Sequence, residues 1–97
     1  MAQVVYFERA VIDLERLVDF LAESDRALAF ETLAIIQDAV AILGRHPLIG
    51  RPAEQGLREM VISRGRTGYV ALYDFIEADD AVLVLAIRHQ REAGFEE

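Results

Sequence analysis

The chain has 97 residues, of which 54% are hydrophobic and 28% charged, with two prolines and six glycines. This composition predicts one folded domain spanning residues 1–97 and excludes a disordered chain. Its ten basic residues are all arginine and stand against seventeen carboxylates, for a net charge of -7. Because affinity for nucleic acid comes largely from cationic side chains that displace counterions, this balance disfavours nonspecific binding of DNA or RNA.

Two residue types with distinctive chemistry, lysine and cysteine, are missing from the sequence. Without lysine there is no Schiff-base nucleophile, and without cysteine there is no disulfide, thiolate nucleophile or cysteine-ligated metal site. The N-terminus lacks a signal-peptide pattern, and we expect no apolar run near the ~20 residues that span a bilayer. We therefore expect a soluble, cytoplasmic protein with no cofactor, metal or membrane partner.

The charge is distributed unevenly along the chain. Residues 1–44 contain three arginines and eight carboxylates, residues 45–73 contain five and two, and residues 74–97 contain two and seven. The middle of the chain is therefore a basic segment within an acidic protein.

The first predicted element is a strand at residues 3–7, which are rich in β-branched and aromatic side chains. Apolar residues then recur at helical spacing from residue 8 to about residue 23, which predicts an amphipathic helix. Ser24 and Asp25 are candidate N-caps for a second helix at residues 26–43, and Gly44 stands where a left-handed C-cap is favourable. Apolar residues occupy more than one stripe of this second helix, which indicates that it is covered on two sides.

Three strand-like runs follow, at residues 57–63, 69–76 and 81–89, joined by links of hairpin length that predict an antiparallel meander. The last run is apolar on both faces, which is typical of a strand inside a sheet. The predicted fold class is α+β. A short N-terminal strand and an α-helical hairpin accompany a mostly antiparallel sheet, with the hairpin packed on one face and the sheet ending in the three-stranded meander.

No motif of a known catalytic type stands out among the polar residues. His46 and His89 are far apart and do not form a metal-ligand pair, and neither Ser24 nor Ser63 lies in a nucleophile-elbow setting. A set of arginines suits either contact with a phosphate or acidic partner or a solvated sheet edge that resists pairing. These are Arg51, Arg58, Arg64, Arg66, Arg88 and Arg91.

Four short motifs stand out in the second half of the chain: HPLIGRP at 46–52, GLRE at 56–59, GYVALY at 68–73 and AIRHQRE at 86–92. With these motifs the chain resembles the ParE/RelE superfamily of type II toxins over nearly its whole length. On the N-terminal side, Ala10, Asp13 and Leu14 stand where the family often has an alanine followed by an acidic residue and leucine. The turn, the two-tyrosine strand and the Arg-His pair are most similar to the ParE-like branch, often called plasmid stabilisation proteins.

The two branches of this family imply different biochemistry. RelE-like members are ribosome-dependent mRNA endoribonucleases that use a basic cluster on the sheet to offset phosphate charge. At the corresponding positions this sequence has Glu59, Val61 and Val70, although Arg91 matches a family arginine. The resemblance therefore implies a ParE-like, noncatalytic inhibitor that binds DNA gyrase. For the endoribonuclease alternative the candidate catalytic residues are Arg88, His89 and Arg91, and an inactive homologue that only binds antitoxin is a third possibility.

The resemblance also implies partners and contact residues. The first partner is a cognate ParD-like antitoxin whose disordered tail folds around the helical hairpin, and operator DNA is bound only through that antitoxin. The expected antitoxin-binding residues are Leu14, Leu17, Val18, Leu28, Leu33 and Ile36. The expected target-binding residues are Arg51, Arg58, Arg64, Arg66, Tyr69 and Tyr73, since arginine and tyrosine are enriched at energetic centres of interfaces.

Overall fold

The described part of the chain, residues 1–64 and 67–90 of a computed structural model, forms a five-stranded sheet with a helical hairpin on one face. In chain order the elements are β1 (Gln3–Tyr6), α1 (Glu8–Ala22), α2 (Arg26–Ala41), β2 (Arg51–Pro52), β3 (Arg58–Arg64), β4 (Thr67–Ile76) and β5 (Ala81–His89). The strand order is β1-β5-β4-β3-β2, with β1 parallel to β5 and the other pairs antiparallel. The predicted α+β class is confirmed, and β5 lies inside the sheet.

The core lies between the helical hairpin and the sheet. Ile36 and Val40 of α2 are fully buried against apolar side chains of β4 and β5, and Leu14 of α1 joins the same cluster. Helix α2 contacts both α1 and β3, as the predicted two-sided coverage requires. A remaining face of α2 is open, and Phe30 on that face is 59% exposed.

The ends of α2 are set by two different interactions. At its start the Asp25 carboxylate accepts a hydrogen bond from the backbone N–H of Leu28 at 3.0 Å, so Asp25 is the N-cap. At its end the helix tightens into a 3-10 turn, Ile42–Gly44, and Gly44 does not have a positive φ. The predicted left-handed cap at Gly44 is therefore wrong. Glycine suits this position because Ala2 N–H donates to the Gly44 carbonyl at 2.7 Å, and a Cβ would lie 3.1 Å from the Ala2 carbonyl oxygen.

One sequence expectation about membrane spans needs correction. The continuous helical segment Arg26–Gly44 is long and apolar enough to cross a bilayer by length and composition alone. A third of this segment is buried inside the protein, and helices in protein cores can be equally long and apolar. The buried part packs against α1 and the sheet, while Phe30 and Ile42 lie on the exposed part.

Strand β5 contains one extra residue relative to β4. Tyr73 pairs with Val84 while Leu72 pairs with Ala86, so Leu85 has no partner on β4 and forms a β-bulge. Side chains alternate along a strand, and the extra residue therefore returns Ile87 to the same face as Val84. Both side chains are buried in the core, so the bulge keeps the whole length of β5 packed beneath the helices.

The structure also contains elements that the sequence pattern did not indicate. The two-residue strand β2 and the 3-10 turn Glu54–Gly56 lie within the predicted loop between helix and meander. Strand β2 is held by pairing with β3, with Pro52 opposite Arg58. Two residues are too few to show a hydrophobic period, so only the tertiary pairing identifies this strand.

The observed cap predicts which of the two candidate residues matters for stability. Asp25→Ala is expected to lower the free energy of unfolding by about 1 kcal/mol, because it leaves a helix N-terminal N–H without its side-chain acceptor. For a domain of this size that corresponds to roughly 4–8 °C in Tm by thermal denaturation. Ser24→Ala is the matched control and should leave Tm unchanged; an equal loss in both variants would contradict the assignment.

Candidate functional site

The 46–50 loop is held to the sheet by the hydroxyl of Tyr73. Tyr73 is fully buried on β4, and its hydroxyl donates to the Pro47 carbonyl at 2.8 Å. The same oxygen accepts a hydrogen bond from the Gly50 N–H at 2.9 Å. A single buried hydroxyl thus satisfies one polar group near each end of the loop, which fixes the loop in one conformation.

Arg58 of β3 provides a second attachment for this loop. Its guanidinium Nη1 donates to the carbonyl of Gly50 at 2.8 Å and to that of Leu48 at 3.3 Å. Position 50 must be glycine at this approach, because a Cβ there would lie 2.6 Å from the Tyr73 hydroxyl and 2.7 Å from the Glu59 carbonyl oxygen. The loop is therefore held by two strands and a close backbone contact.

The side chains at the tip of this loop point away from the protein. Leu48 and Ile49, which we call the apolar tip, are each 59% exposed. Arg45 and Arg51 on either side are also exposed. The sequence reasoning did not include the apolar tip among its candidates. The available signal was an adjacent apolar pair inside a short turn bounded by proline and glycine.

The structure brings together two of the six predicted arginines of the basic edge. Arg51 on β2 is exposed and pairs with the Glu59 carboxylate at 3.0 Å, while Arg58 on the adjacent strand binds the loop carbonyls. Arg88 lies on β5, beyond β4, and is partly exposed. Arg66 and Arg91 lie outside the described residues, as does the side chain of Arg64. Among the described residues, the predicted edge is thus represented by Arg51 and Arg58 on adjacent strands, with Arg88 two strands away from Arg58.

The two tyrosines predicted to contact a target are both buried. Tyr73 is 0% exposed and its hydroxyl is fully engaged with the loop. Tyr69 is 4% exposed, and its ring packs edge-on against the His89 ring, with centroids 5.5 Å apart. Both tyrosines belong to the core cluster, and their expected contact with a target stays a prediction.

A groove of about 650 Å³ runs along the helical hairpin beside β1. We call it the hairpin groove; its lining is Tyr6, Val11, Leu14, Glu15, Val18, Asp19, Leu33 and Gln37. The wall is mostly apolar, and burial raises the pKa of the Tyr6 phenol, which favours its neutral form. Glu15 and Asp19 are exposed carboxylates at the rim, with no cationic residue in the lining. The groove therefore suits an apolar segment that carries positive charge.

The structure divides the six residues predicted to bind antitoxin into three groups. Leu14, Val18 and Leu33 line the hairpin groove. Ile36 is fully buried in the core, and Leu28 is half-buried near the start of α2. Leu17 lines a different cleft, between α1 and the end of β5. Helical periodicity identified apolar positions but could not separate the face that packs inward from the face left open.

The cleft between α1 and β5 is organised by Asp13. Strand β1 ends at Tyr6, opposite Val84, so the edge of β5 beyond that point has no pairing from β1. The Asp13 carboxylate accepts a hydrogen bond from the Ile87 N–H at 3.0 Å and also lies 3.7 Å from the Arg9 guanidinium. A side chain thus replaces a missing strand and attaches α1 to the sheet.

Arg88 and His89, two of the candidate catalytic residues, line this same cleft of about 520 Å³. Its other lining residues include Arg9, Arg16, Leu17 and Phe20 from α1. Among the described residues there is no group of three or more histidine or carboxylate side chains placed to hold a metal ion. The cleft is therefore a mixed cationic and apolar surface with one carboxylate, Asp13, at its base.

The sheet face opposite the helices carries the positions that the resemblance equates with a nuclease cluster. Val61 and Val70 are direct cross-strand neighbours, and Val70 is paired with Arg88 on its other side. Ile62 and Tyr69 belong to the core cluster, so by strand alternation Val61 and Val70 face the opposite way. Val61 is 38% exposed and Val70 is buried. The pair provides hydrocarbon where a phosphate would require positive charge.

Comparison with known proteins gives consistent matches over nearly the whole chain. Residues 4–94 match the family model of the ParE toxin of the type II toxin-antitoxin system parDE. The chain is similar to Toxin RelE3 of Caulobacter vibrioides, with 33% identity over 92 residues, covering 95% of this chain and 98% of that relative.

Two solved structures have the same architecture. One belongs to a chromosomal ParDE system from P. aeruginosa, with a TM-score of 0.74, 20% identity and coverage of 92% of this chain and 96% of the other. Another is the RelBE2 toxin-antitoxin complex from Mycobacterium tuberculosis, with a TM-score of 0.62, 28% identity and coverage of 92% and 98%. At 20% identity the first likeness is one of fold alone.

The hydrogen bonds of the Tyr73 hydroxyl predict that its removal destabilises the protein. Tyr73→Phe should lower the free energy of unfolding by about 1–3 kcal/mol, because the Pro47 carbonyl and the Gly50 N–H lose their partner at a buried site. Tyr6→Phe removes a hydroxyl with no hydrogen bond to another described residue and is the control, expected to change stability by less than about 0.5 kcal/mol. Urea denaturation of both variants measures this, and equal losses would refute the role given to Tyr73.

Proposed function

The chain belongs to the ParE toxin family of type II toxin-antitoxin systems, and from that premise we propose that it is a noncatalytic inhibitor of DNA gyrase neutralised by a cognate antitoxin. The observation that carries the noncatalytic part is the apolar pair Val61 and Val70 on the sheet face opposite the helices. Both proposed partners act in the cytoplasm, which is where we place the protein.

Electrostatics is the reason that this pair argues against RNA cleavage. Cleaving a phosphodiester requires fixed positive charge near the oxygens on which negative charge develops. In the described part of the opposite face, Val61 and Val70 occupy adjacent positions at the centre, and Glu59 adds a negative charge on the same strand. Arg88 is the described cation nearest in register to Val70. Among the described residues, Arg51 on this face is already paired with Glu59 at 3.0 Å and Arg88 is the other cation, which together are a weak support for such a transition state.

A RelE-type endoribonuclease is the second candidate, because the relative with 33% identity is a toxin named RelE3. In that case Arg88, His89 and Arg91 would be the catalytic residues, with Arg91 outside the described residues. An inactive homologue that only binds antitoxin is the third candidate from the sequence. It predicts no growth arrest, so the experiment on the target distinguishes it from both others.

We further propose that the hairpin groove receives the antitoxin. The solved relatives from P. aeruginosa and M. tuberculosis belong to systems in which a toxin is paired with an antitoxin. The groove combines an apolar floor with a rim formed by Glu15 and Asp19. An amphipathic antitoxin segment with arginine or lysine at its polar edge would bury apolar area and pair with both carboxylates.

The identity of the target is tested by expressing the protein without antitoxin and measuring the integrity of both cellular DNA and mRNA. Gyrase inhibition predicts growth arrest, accumulation of broken DNA, intact mRNA, and loss of supercoiling by purified gyrase at micromolar toxin. Arg91→Ala should then leave the growth arrest in place. Codon-phased mRNA ends without DNA breaks, abolished by Arg91→Ala, would refute gyrase inhibition and support the endoribonuclease.

The groove proposal predicts a charge-dependent interaction with the antitoxin encoded by the neighbouring open reading frame. The double variant Glu15→Lys/Asp19→Lys should bind it at least about a hundredfold more weakly, since each like-charge contact costs more than about 1.4 kcal/mol. Asp38→Lys changes an exposed carboxylate of α2 that is outside the groove lining and serves as control. Calorimetric titration gives the affinities; tighter binding by the double variant would mean that the antitoxin segment is acidic.

A further inference from the structure

We propose that the apolar tip, Leu48 and Ile49, is the contact by which this toxin engages its target, and that it inserts into an apolar pocket bordered by carboxylates on a protein. The inference rests on the proposed toxin function and goes beyond it by assigning the surface and the chemistry of the site that receives it. Three features of the structure support it: a preformed loop, its local charge, and its separation from the hairpin groove.

The loop is already ordered before any partner binds. The Tyr73 hydroxyl and the Arg58 guanidinium together make four hydrogen bonds to the backbone between Pro47 and Gly50. Binding through a rigid element avoids most of the conformational entropy that a flexible loop loses on association. Two branched aliphatic side chains, each 59% exposed, are thus held outward on a fixed support. In the isolated protein these exposed side chains do not contribute the stabilisation that burial of apolar surface would give.

The charge around the tip differs in sign from that of the rest of the protein. Residues 45–52 contain Arg45 and Arg51 and no carboxylate, within a chain of net charge -7. Both arginines are exposed beside the tip, but Arg51 is paired with Glu59 of β3 at 3.0 Å, so Arg45 carries the positive charge that no described carboxylate balances. An acidic rim on the partner would be attracted to this segment and repelled by most other surfaces of the toxin, which orients the encounter. Two cations are too few to hold a nucleic-acid backbone at physiological salt, so we assign a protein partner.

The tip and the hairpin groove are built from different parts of the fold. The groove is lined by residues of β1, α1 and α2. The loop is held by side chains of β3 and β4, and β2 continues from it at the other edge of the sheet from β1. Substitutions at the tip should therefore affect target engagement without changing the affinity for antitoxin.

The test compares the double variant Leu48→Ser/Ile49→Ser with Phe30→Ser, each expressed without antitoxin. Phe30 on α2 has the same 59% exposure as each tip residue and lines neither the loop nor the groove. We expect the tip variant to inhibit growth at least about 30-fold less potently, measured as the inducer level that halves the growth rate, since the tip would be an interface hot spot. Phe30→Ser should inhibit growth like the unaltered protein.

Two further measurements establish that the tip variant is folded. Because both positions are exposed, its Tm should lie within about 4 °C of the unaltered protein, and its affinity for the antitoxin should change less than about threefold. Arg45→Glu should also weaken growth inhibition, since it reverses the charge of one of the two arginines that flank the apolar tip.

The outcomes separate this inference from the proposed function. If the unaltered protein does not arrest growth, the toxin function itself fails. If it arrests growth and the folded tip variant does so equally well, the toxin function stands and the tip inference is overturned. Tight binding of a DNA duplex by the purified toxin, lost in Leu48→Ser/Ile49→Ser, would also overturn it, because the tip would then contact DNA and not a protein.

Discussion

One buried phenol holds the 46–50 loop, and with it the edge strand that follows, against the sheet. Tyr73 lies in the core, where an unpaired hydroxyl would be costly, and its oxygen bonds to Pro47 and Gly50 at the two ends of the loop. The close approach requires glycine at position 50, and the path of the chain after it delivers Arg51 to the edge of β3. One polar atom therefore positions both the apolar tip and the short edge strand.

At the opposite edge of the sheet, a carboxylate has a corresponding role. Asp13 accepts the backbone hydrogen bond of Ile87 where β1 has ended, and in doing so attaches α1 across β5. The position of α1 relative to α2 then decides which apolar residues remain outside the core and line the hairpin groove. The two surfaces proposed for antitoxin and target are thus supported by separate polar contacts, which allows one to be altered while the other is kept.

One fold can carry different biochemistry, so the architecture by itself does not identify the reaction. The proposed function instead depends on the chemistry of a few positions on the sheet face opposite the helices. Val61 and Val70 are neighbours there, and the absence of lysine leaves arginine as the means of offsetting phosphate charge. These residues therefore favour the proposed binding function over cleavage of a phosphodiester bond.

By itself the sequence determined the fold class, both helices, the meander and the family, because hydrophobic periodicity and cap residues such as Asp25 are local signals that tertiary contacts here reinforce. Only the tertiary structure decided the roles of single residues. Tyrosine is a residue type enriched at interfaces, but Tyr73 is buried and supports the 46–50 loop. Gly44 stands where a left-handed helix cap is common, but there it makes a close backbone contact with Ala2. Leu48 and Ile49 gave no periodic signal at all. Their exposure follows from hydrogen bonds to residues 8 to 26 positions away, which no local pattern encodes.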